Sequence, residues 1–353
     1  MHVAHLDSRV SAWSLFGPLW CVAGLLFAGP IMAANPAAGG NSPVEAQARV
    51  LSQANAAVVG VRTVAIEDAQ STKTLGPVRQ GSGVVISADG LVLTIGYLIL
   101  EAENVELHLA GARMIPARVV AYDVATGFGL VQALAPLKLQ PARLGTAAAL
   151  TSEEPLMIAS GGDDGDVSIA RMVSRRSFSG YWEYHIDGAL FTSPPRTDHS
   201  GAALFNGRGE LLGIGSLIVM NAMGDDHPRV PGNMFVPVDL LKPILAELRE
   251  RGSSRSSHRP WMGINCVEYN GQVRVTRVNE DSPAEQAGVL PGDHIMRIDG
   301  AEVSGLEALW KALWRGDKPE REVTLDIRRG DVSKTFKIQA VDRMQTLRRA
   351  QGI

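Results

Sequence analysis

Between residues 57 and about 237 the chain alternates short apolar runs with turn signals, a pattern that predicts an antiparallel barrel or sandwich. Such runs cover 57–64, 83–87 ahead of Asp89-Gly90, and 91–94. Residues 105–109 alternate strictly, which puts Glu106 and His108 on a wet face. Ahead of these runs, 43–55 reads as a short amphipathic helix. A second helix is expected over 240–251, opened by Asp239. It carries Leu241, Ile244, Leu245 and Leu248 on one face and ends at Gly252.

Residues 252–259 are Gly, Ser, Arg and His, and read as a polar linker that marks the clearest boundary in the chain. A compact unit the size of a small domain follows. It opens with a strand over 272–278. Ser282-Pro283-Ala284-Glu285 is a capping box with proline at the first helical position, and Gly288 closes that short helix. A strand over 294–299 comes next. Residues 304–307 are expected to cap a second helix in which Leu306, Leu309, Trp310 and Leu313 form one stripe. Strands over 322–328 and 334–340 complete the unit, joined through Arg329-Gly330-Asp331, and the basic tail after Asp342 is expected as a frayed or surface helix.

The N-terminus changes the picture by implying export. Arg9 precedes an apolar stretch over 12–34 that ends in Met32-Ala33-Ala34, which describes a secretory signal peptide. An uncleaved anchor is the alternative, since the stretch approaches the roughly 20 residues that span a bilayer. Gly24, Gly29 and Pro30 interrupt it and favour cleavage. The expected location is the periplasm or cell envelope of a bacterium. Cys21 would leave with the signal, so Cys266 stands alone and is expected to be buried and inert. With 353 residues, 45% of them hydrophobic, the chain can fill two or three domains. Its net charge of −3 offers no electrostatic case for a nucleic-acid partner.

Candidate chemistry centres on Ser200, in Asp198-His199-Ser200-Gly201-Ala202-Ala203-Leu204 followed by Asn206-Gly207. A small-residue turn between apolar runs, with a hairpin signal behind it, suits a nucleophile placed between strands. Taken in order, the segments over about 43–341 resemble the HtrA/Deg family of secreted trypsin-fold serine proteases. Gly81-Ser82-Gly83-Val84-Val85-Ile86 with Asp89-Gly90 matches the opening of the protease domain in that family. Thr94-Ile95-Gly96-Tyr97-Leu98 stands where the family has Thr-Asn-x-His-Val. Asp123-Val124-Ala125-Thr126-Gly127-Phe128-Gly129-Leu130 stands where it has Asp-x-x-Thr-Asp-Leu-Ala-Leu. The C-terminal unit resembles the PDZ domain of the family. Trp261-Met262-Gly263-Ile264 matches its carboxylate-binding loop, and Ser282-Pro283-Ala284, Ala287-Gly288 and Pro291-Gly292-Asp293 match its most recognisable stretch.

The resemblance implies a mainly β two-barrel trypsin-like domain followed by an α+β PDZ domain. The expected division is a signal over 1–34, a lead with a short helix over 35–55, the protease domain over 56–251, the linker over 252–259, the PDZ domain over 260–341 and a tail over 342–353. It also implies a missing triad. Tyr97 takes the histidine position and Gly127 the aspartate position, while Asp198 stands at the oxyanion-hole position, where its carboxylate would repel an oxyanion if it pointed inward. A phenol with a pKa near 10 is a poor resting base at neutral pH, and a glycine orients nothing. Ser200 is thus expected as a leftover turn residue. His199 and His185 are the conceivable substitute bases. Asp225-Asp226-His227 and Asp163-Asp164-Gly165-Asp166 lack the ligand spacing of a metal site, and no metal or cofactor is expected.

The expected function is an HtrA-like homologue without catalysis that binds unfolded polypeptides or protein C-termini in quality control, or partners an active protease. Trp261, Met262, Gly263 and Ile264 would capture the carboxylate, and Leu306 and Trp310 would line the groove. The alternative is a working serine endopeptidase using Ser200 with a non-standard base. A third reading, an envelope protein without peptide binding, would require the 261–264 loop to be plugged. Family members often form trimers through aromatic contacts near the protease N-terminus, and no aromatic lies between Asn35 and Gly60, so homo-oligomer formation is left open.

Overall fold

The computed structural model describes residues 42–148, 150–152 and 154–348. The expected signal peptide, residues 35–41 of the N-terminal lead and the last five residues lie outside the described residues. Helix α1 (Pro43–Asn55) begins as its sequence dictates: the Ser42 hydroxyl accepts from the Glu45 amide while the Glu45 carboxylate accepts from the Ser42 amide.

The apolar runs then build two barrels. Strands β1 (Val58–Ala65), β2 (Val78–Val85), β3 (Leu91–Ile95), β4 (Ala102–Leu109), β5 (Arg113–Tyr122) and β6 (Phe128–Ala133) close in the order β1-β2-β3-β6-β5-β4, every pair antiparallel. Val105, Leu107 and Leu109 of β4 are buried, with Glu106 and His108 half-buried between them, so the alternation expected there is present. Two one-turn helices interrupt this barrel, α2 (Thr72–Leu75) and α3 (Gly96–Ile99), the latter carrying Tyr97 directly off the end of β3.

The second sheet is built from β7 (Arg143–Leu144), β8 (Pro155–Ala159), β9 (Val167–Ser179), β10 (His185–Ser193), β11 (Ala203–Phe205), β12 (Glu210–Val219) and β13 (Gly232–Pro237). It runs β11-β8-β9-β10-β13-β12, and the β11–β12 pairing closes it into a ring, with β7 added in parallel to β12. Ser200 sits in the turn just before β11.

The second predicted helix is shorter than expected. A 3-10 turn over Val238–Leu240 is followed by α4 (Leu245–Arg251) only. Pro243 explains the gap, because proline disfavours helical angles in the residue before it. Asp239 does not cap a helix: its carboxylate accepts from the Thr146 hydroxyl at 2.7 Å and the Ala147 amide at 2.8 Å.

The serine-rich stretch after α4 is not a free tether. Ser254 and Ser257 are buried and donate to the same carboxylate oxygen of Asp123, which is itself fully buried and takes the Thr126 amide and hydroxyl on its other oxygen. The composition reads as a linker because serine is polar; here its hydroxyls satisfy a buried carboxylate.

The C-terminal unit contains β14 (Pro260–Trp261), β15 (Ile264–Tyr269), β16 (Gln272–Val278), α5 (Pro283–Gln286), β17 (His294–Ile298), β18 (Ala301–Glu302), α6 (Leu306–Leu313), β19 (Arg321–Arg329) and β20 (Val332–Asp342). Its sheet runs β14-β20-β19-β17-β16-β15, which leaves β15 at an edge facing α6. Leu309, Trp310 and Leu313 are fully buried, so the stripe predicted on α6 is core. Its cap differs from the expectation: Ser304 makes no cap, and Glu268 from β15 accepts from the Leu306 amide at 2.8 Å instead. After β20 the tail forms a 3-10 turn over Arg343–Thr346, with Met344 buried, rather than a surface helix.

Candidate active site and peptide groove

The first barrel delivers Tyr97 and the second delivers Ser200 to one place. The phenol of Tyr97 lies 2.8 Å from Ser200 Oγ and 2.9 Å from the Ser216 carbonyl oxygen, donating its one proton between these two acceptors. Loss of solvent around the ring pushes the Tyr97 pKa up to about 12. A phenol that holds its proton more tightly than usual cannot take one from a serine.

Gly127 lies in the turn before β6, at φ +78. A Cβ there would meet the Tyr184 hydroxyl at 3.0 Å, and that hydroxyl donates to the Thr126 carbonyl at 2.9 Å. Any side chain at 127 would need left-handed backbone angles and would have to displace Tyr184. The space is therefore filled by a second tyrosine, itself buried, whose pKa is raised well above the usual value by that burial.

The candidate substitute bases are engaged elsewhere. His199 Nδ1 lies 3.2 and 3.1 Å from the Arg196 and Thr197 carbonyls, so it donates within its own turn. His185 Nδ1 lies 2.8 Å from Ser179 Oγ and its Nε2 3.0 Å from Asp187 Oδ1. The Asp198 carboxylate is turned to the Arg196 guanidinium and accepts from Ser160 Oγ, and the arginine hydrogen bond holds its pKa below the ordinary value. His227 sits on an exposed loop. His185, Asp187 and Glu307 approach one another closely enough for a cation, but the Lys311 ammonium already sits 2.6 Å from Glu307 and 3.3 Å from Asp187.

The C-terminal unit presents a second kind of site. The amides of Met262, Gly263 and Ile264 converge on one point, donating to a carboxylate at 3.2, 2.8 and 3.1 Å. Gly263 has φ +88, and a Cβ on it would fall 2.2 Å from the Ser282 Cβ, so this turn requires glycine. Trp261 contributes no amide to that point: it is buried in β14, with the Arg343 guanidinium 4.7 Å above its ring. Leu306 and Trp310 stand on α6, which packs against β15, and both are buried.

The carboxylate held there belongs to Glu183, from the tip between β9 and β10. The rest of the tip follows the groove. The Cys266 amide on β15 donates to the Tyr181 carbonyl at 2.6 Å, and the Trp310 indole donates to the Gly180 carbonyl at 3.0 Å. Desolvation at the acid outweighs the three amide hydrogen bonds and the pull of Arg343, and lifts the Glu183 pKa to about 7. The Cys266 thiol beneath it is buried and pushed well above its ordinary pKa, so it is inert.

Glu183 and Tyr184 are the site residues that sequence reasoning missed. Their partners lie 58 to 81 positions away in the chain, beyond any local pattern. One signal was present: Tyr181, Trp182 and Tyr184 cluster within four residues of a chain that is only 5% aromatic.

A two-barrel fold with a serine at the barrel junction, followed by an edge strand and helix with an amide nest, defines a trypsin-like peptidase domain joined to a PDZ domain. Family comparison agrees, matching residues 81–214 to a trypsin-like peptidase domain and 260–340 to a PDZ domain. A trypsin-like peptidase domain followed by a PDZ domain is the arrangement for which the chain is similar to HtrA-type proteases. A probable periplasmic serine endoprotease DegP-like from Hahella chejuensis is 26% identical over 280 residues, which cover 75% of this chain and 56% of that protein. The periplasmic serine endoprotease DegP of Escherichia coli is 26% identical over 244 residues, covering 65% and 50%. The putative protease Do-like 14 of Arabidopsis thaliana is 27% identical over 257 residues, covering 63% and 57%. The chain thus spans little more than half the length of these relatives. Among solved structures, the HtrA-type protease AlgW with a decapeptide shares the fold at TM-score 0.52 and 20% identity, over 84% of this chain and 98% of that one. No helix among the described residues is long and apolar enough to cross a membrane.

Proposed function

We propose that this chain is an HtrA-type protein of the bacterial periplasm or cell envelope that binds exposed C-termini of unfolded or misassembled proteins without cleaving them. The division into a protease-fold unit over 56–251 and a PDZ unit over 260–341 is part of this reading. The observation that carries it is the Tyr97 phenol on Ser200 Oγ, with Tyr184 filling the space beside Gly127. Triad chemistry needs a base that accepts the serine proton and a carboxylate that orients it. Here both places hold neutral phenols with raised pKa values. Losing the triad removes about six orders of magnitude in rate.

The carboxylate nest of the PDZ unit, by contrast, is made of backbone amides, the means by which such domains take a peptide terminus. The periplasmic relatives support the proposed location. Incubating the purified protein and its Ser200→Ala variant with fluorescent unfolded casein tests the reading. Saturable binding with no cleavage in either protein is expected, and cleavage that depends on Ser200 would overturn it.

A further inference from the structure

In most contexts three converging backbone amides at an edge strand would wait for a ligand; here they hold one supplied by the chain. The match extends beyond the carboxylate. An extended peptide entering a PDZ groove adds to the edge strand through its backbone while the amide nest holds its terminus. The β9–β10 tip reproduces both contacts at once. Glu183 sits in the nest, and two residues earlier the Tyr181 carbonyl accepts from the Cys266 amide of β15. The Trp310 indole on the facing helix fixes the Gly180 carbonyl, so the tip is bonded on both walls. At the mouth of the groove, Lys311 on α6 ties Asp187 of β10 to Glu307.

We propose that the 180–183 tip is an internal stand-in for a peptide C-terminus, and that the groove opens only to a free α-carboxylate peptide that displaces it. This inference rests on the peptide-binding reading above and deepens it by naming the ligand class and the competitor it meets. An external terminus has one advantage over the tip. A peptide α-carboxylate, with a pKa of about 3.5, stays ionised at neutral pH. The tip offers a side-chain acid that burial has made reluctant to ionise. Displacement reaches the protease unit directly. Glu183 is followed by Tyr184, whose ring stacks on Trp182 at 5.4 Å and whose hydroxyl holds the Thr126 carbonyl next to Gly127. One hairpin tip thus closes the groove and fills the aspartate position of the cleft.

The test compares the full-length protein with its Glu183→Gln and Glu183→Ala variants. The probe is a fluorescein-labelled peptide copying 177–183, with valine as its last residue and a free carboxylate. The same peptide ending in an amide is the control. Tighter binding of the free acid by Glu183→Ala, at least about tenfold over the unsubstituted protein, is the expected result. No tightening is expected in Glu183→Gln, whose neutral amide oxygen still accepts from the nest, and no binding of the amide-ended peptide. Hydrogen exchange at 180–184 should rise when the peptide binds the unsubstituted protein. Equal affinity for all three proteins would overturn the stand-in while leaving peptide binding intact. Failure of all three to bind, with unchanged unfolding midpoints, would overturn the peptide-binding reading and this inference with it.

Discussion

The cleft around Ser200 and the groove around Gly263 are both filled by this chain's own residues, yet they are filled in different ways. In the cleft, the chemistry of a protease depends on side chains, and on the proposed reading Tyr97 and Gly127 stand where a base and its orienting carboxylate would be needed. In the groove, the chemistry is backbone. Three amides of a left-handed glycine turn bind a carboxylate whatever side chains surround them, so the site is covered rather than lost. Two substitutions can silence a catalytic site made of side chains. A nest of main-chain donors persists for as long as its fold does, and is regulated by what sits in it.

The comparison can be broken from either side. Tyr184→Ala should have the largest effect, because it removes a buried ring shared by both regions. A loss of about 3 kcal/mol or more in unfolding free energy is expected from urea titration, together with faster exchange of the Met262–Ile264 amides. Retention of full stability would uncouple the tip from the cleft. Gly263→Ala comes next: strained φ and a clash with Ser282 should cost about 2 kcal/mol and abolish capture of a free-acid peptide. Unchanged peptide binding would remove the nest from the account.

A smaller effect sharpens the role of Glu183. Its pKa near 7 in the docked tip lies above the ordinary glutamate value, so the docked form holds a proton that a released tip gives up. Docking is therefore strongest below about pH 4.5 and weakens as pH rises through 7. The charged and titratable groups facing the acid are the Arg343 guanidinium and the Cys266 thiol, whose pKa burial raises so that it stays neutral. Free-acid peptide affinity should rise by up to roughly 70-fold between pH 5 and pH 8 in the unsubstituted protein and stay flat in Glu183→Gln. A parallel slope in both would assign the titration to another group. Smallest is Tyr97→Phe, which leaves the Ser216 carbonyl without its donor. It should cost about 1 kcal/mol by thermal unfolding and leave casein cleavage absent.

Much of this was legible in the chain. The alternation over 105–109, the capping box at Ser42 and the ordered family segments lead to two barrels and a PDZ unit, because each depends on local pattern. The 240–251 helix was overextended because its leucine spacing outweighed Pro243 in the reading, and the serine stretch after it was read by polarity without its buried partner Asp123. The residue types at positions 97 and 127 are given by the chain itself, and the proposal takes them as a missing base and a missing orienter. What now occupies those places could not, since Tyr184 and Glu183 reach them only through tertiary contacts between distant segments.

The central claim, a silent cleft beside a working groove, is tested most directly by intact-protein mass spectrometry after exposure to a serine-reactive fluorophosphonate. The measurement is made with and without the free-acid peptide, against a Ser200→Ala control. The account predicts no added mass on Ser200 in either condition, because releasing the tip still supplies no base. A peptide-dependent adduct on Ser200 would contradict it.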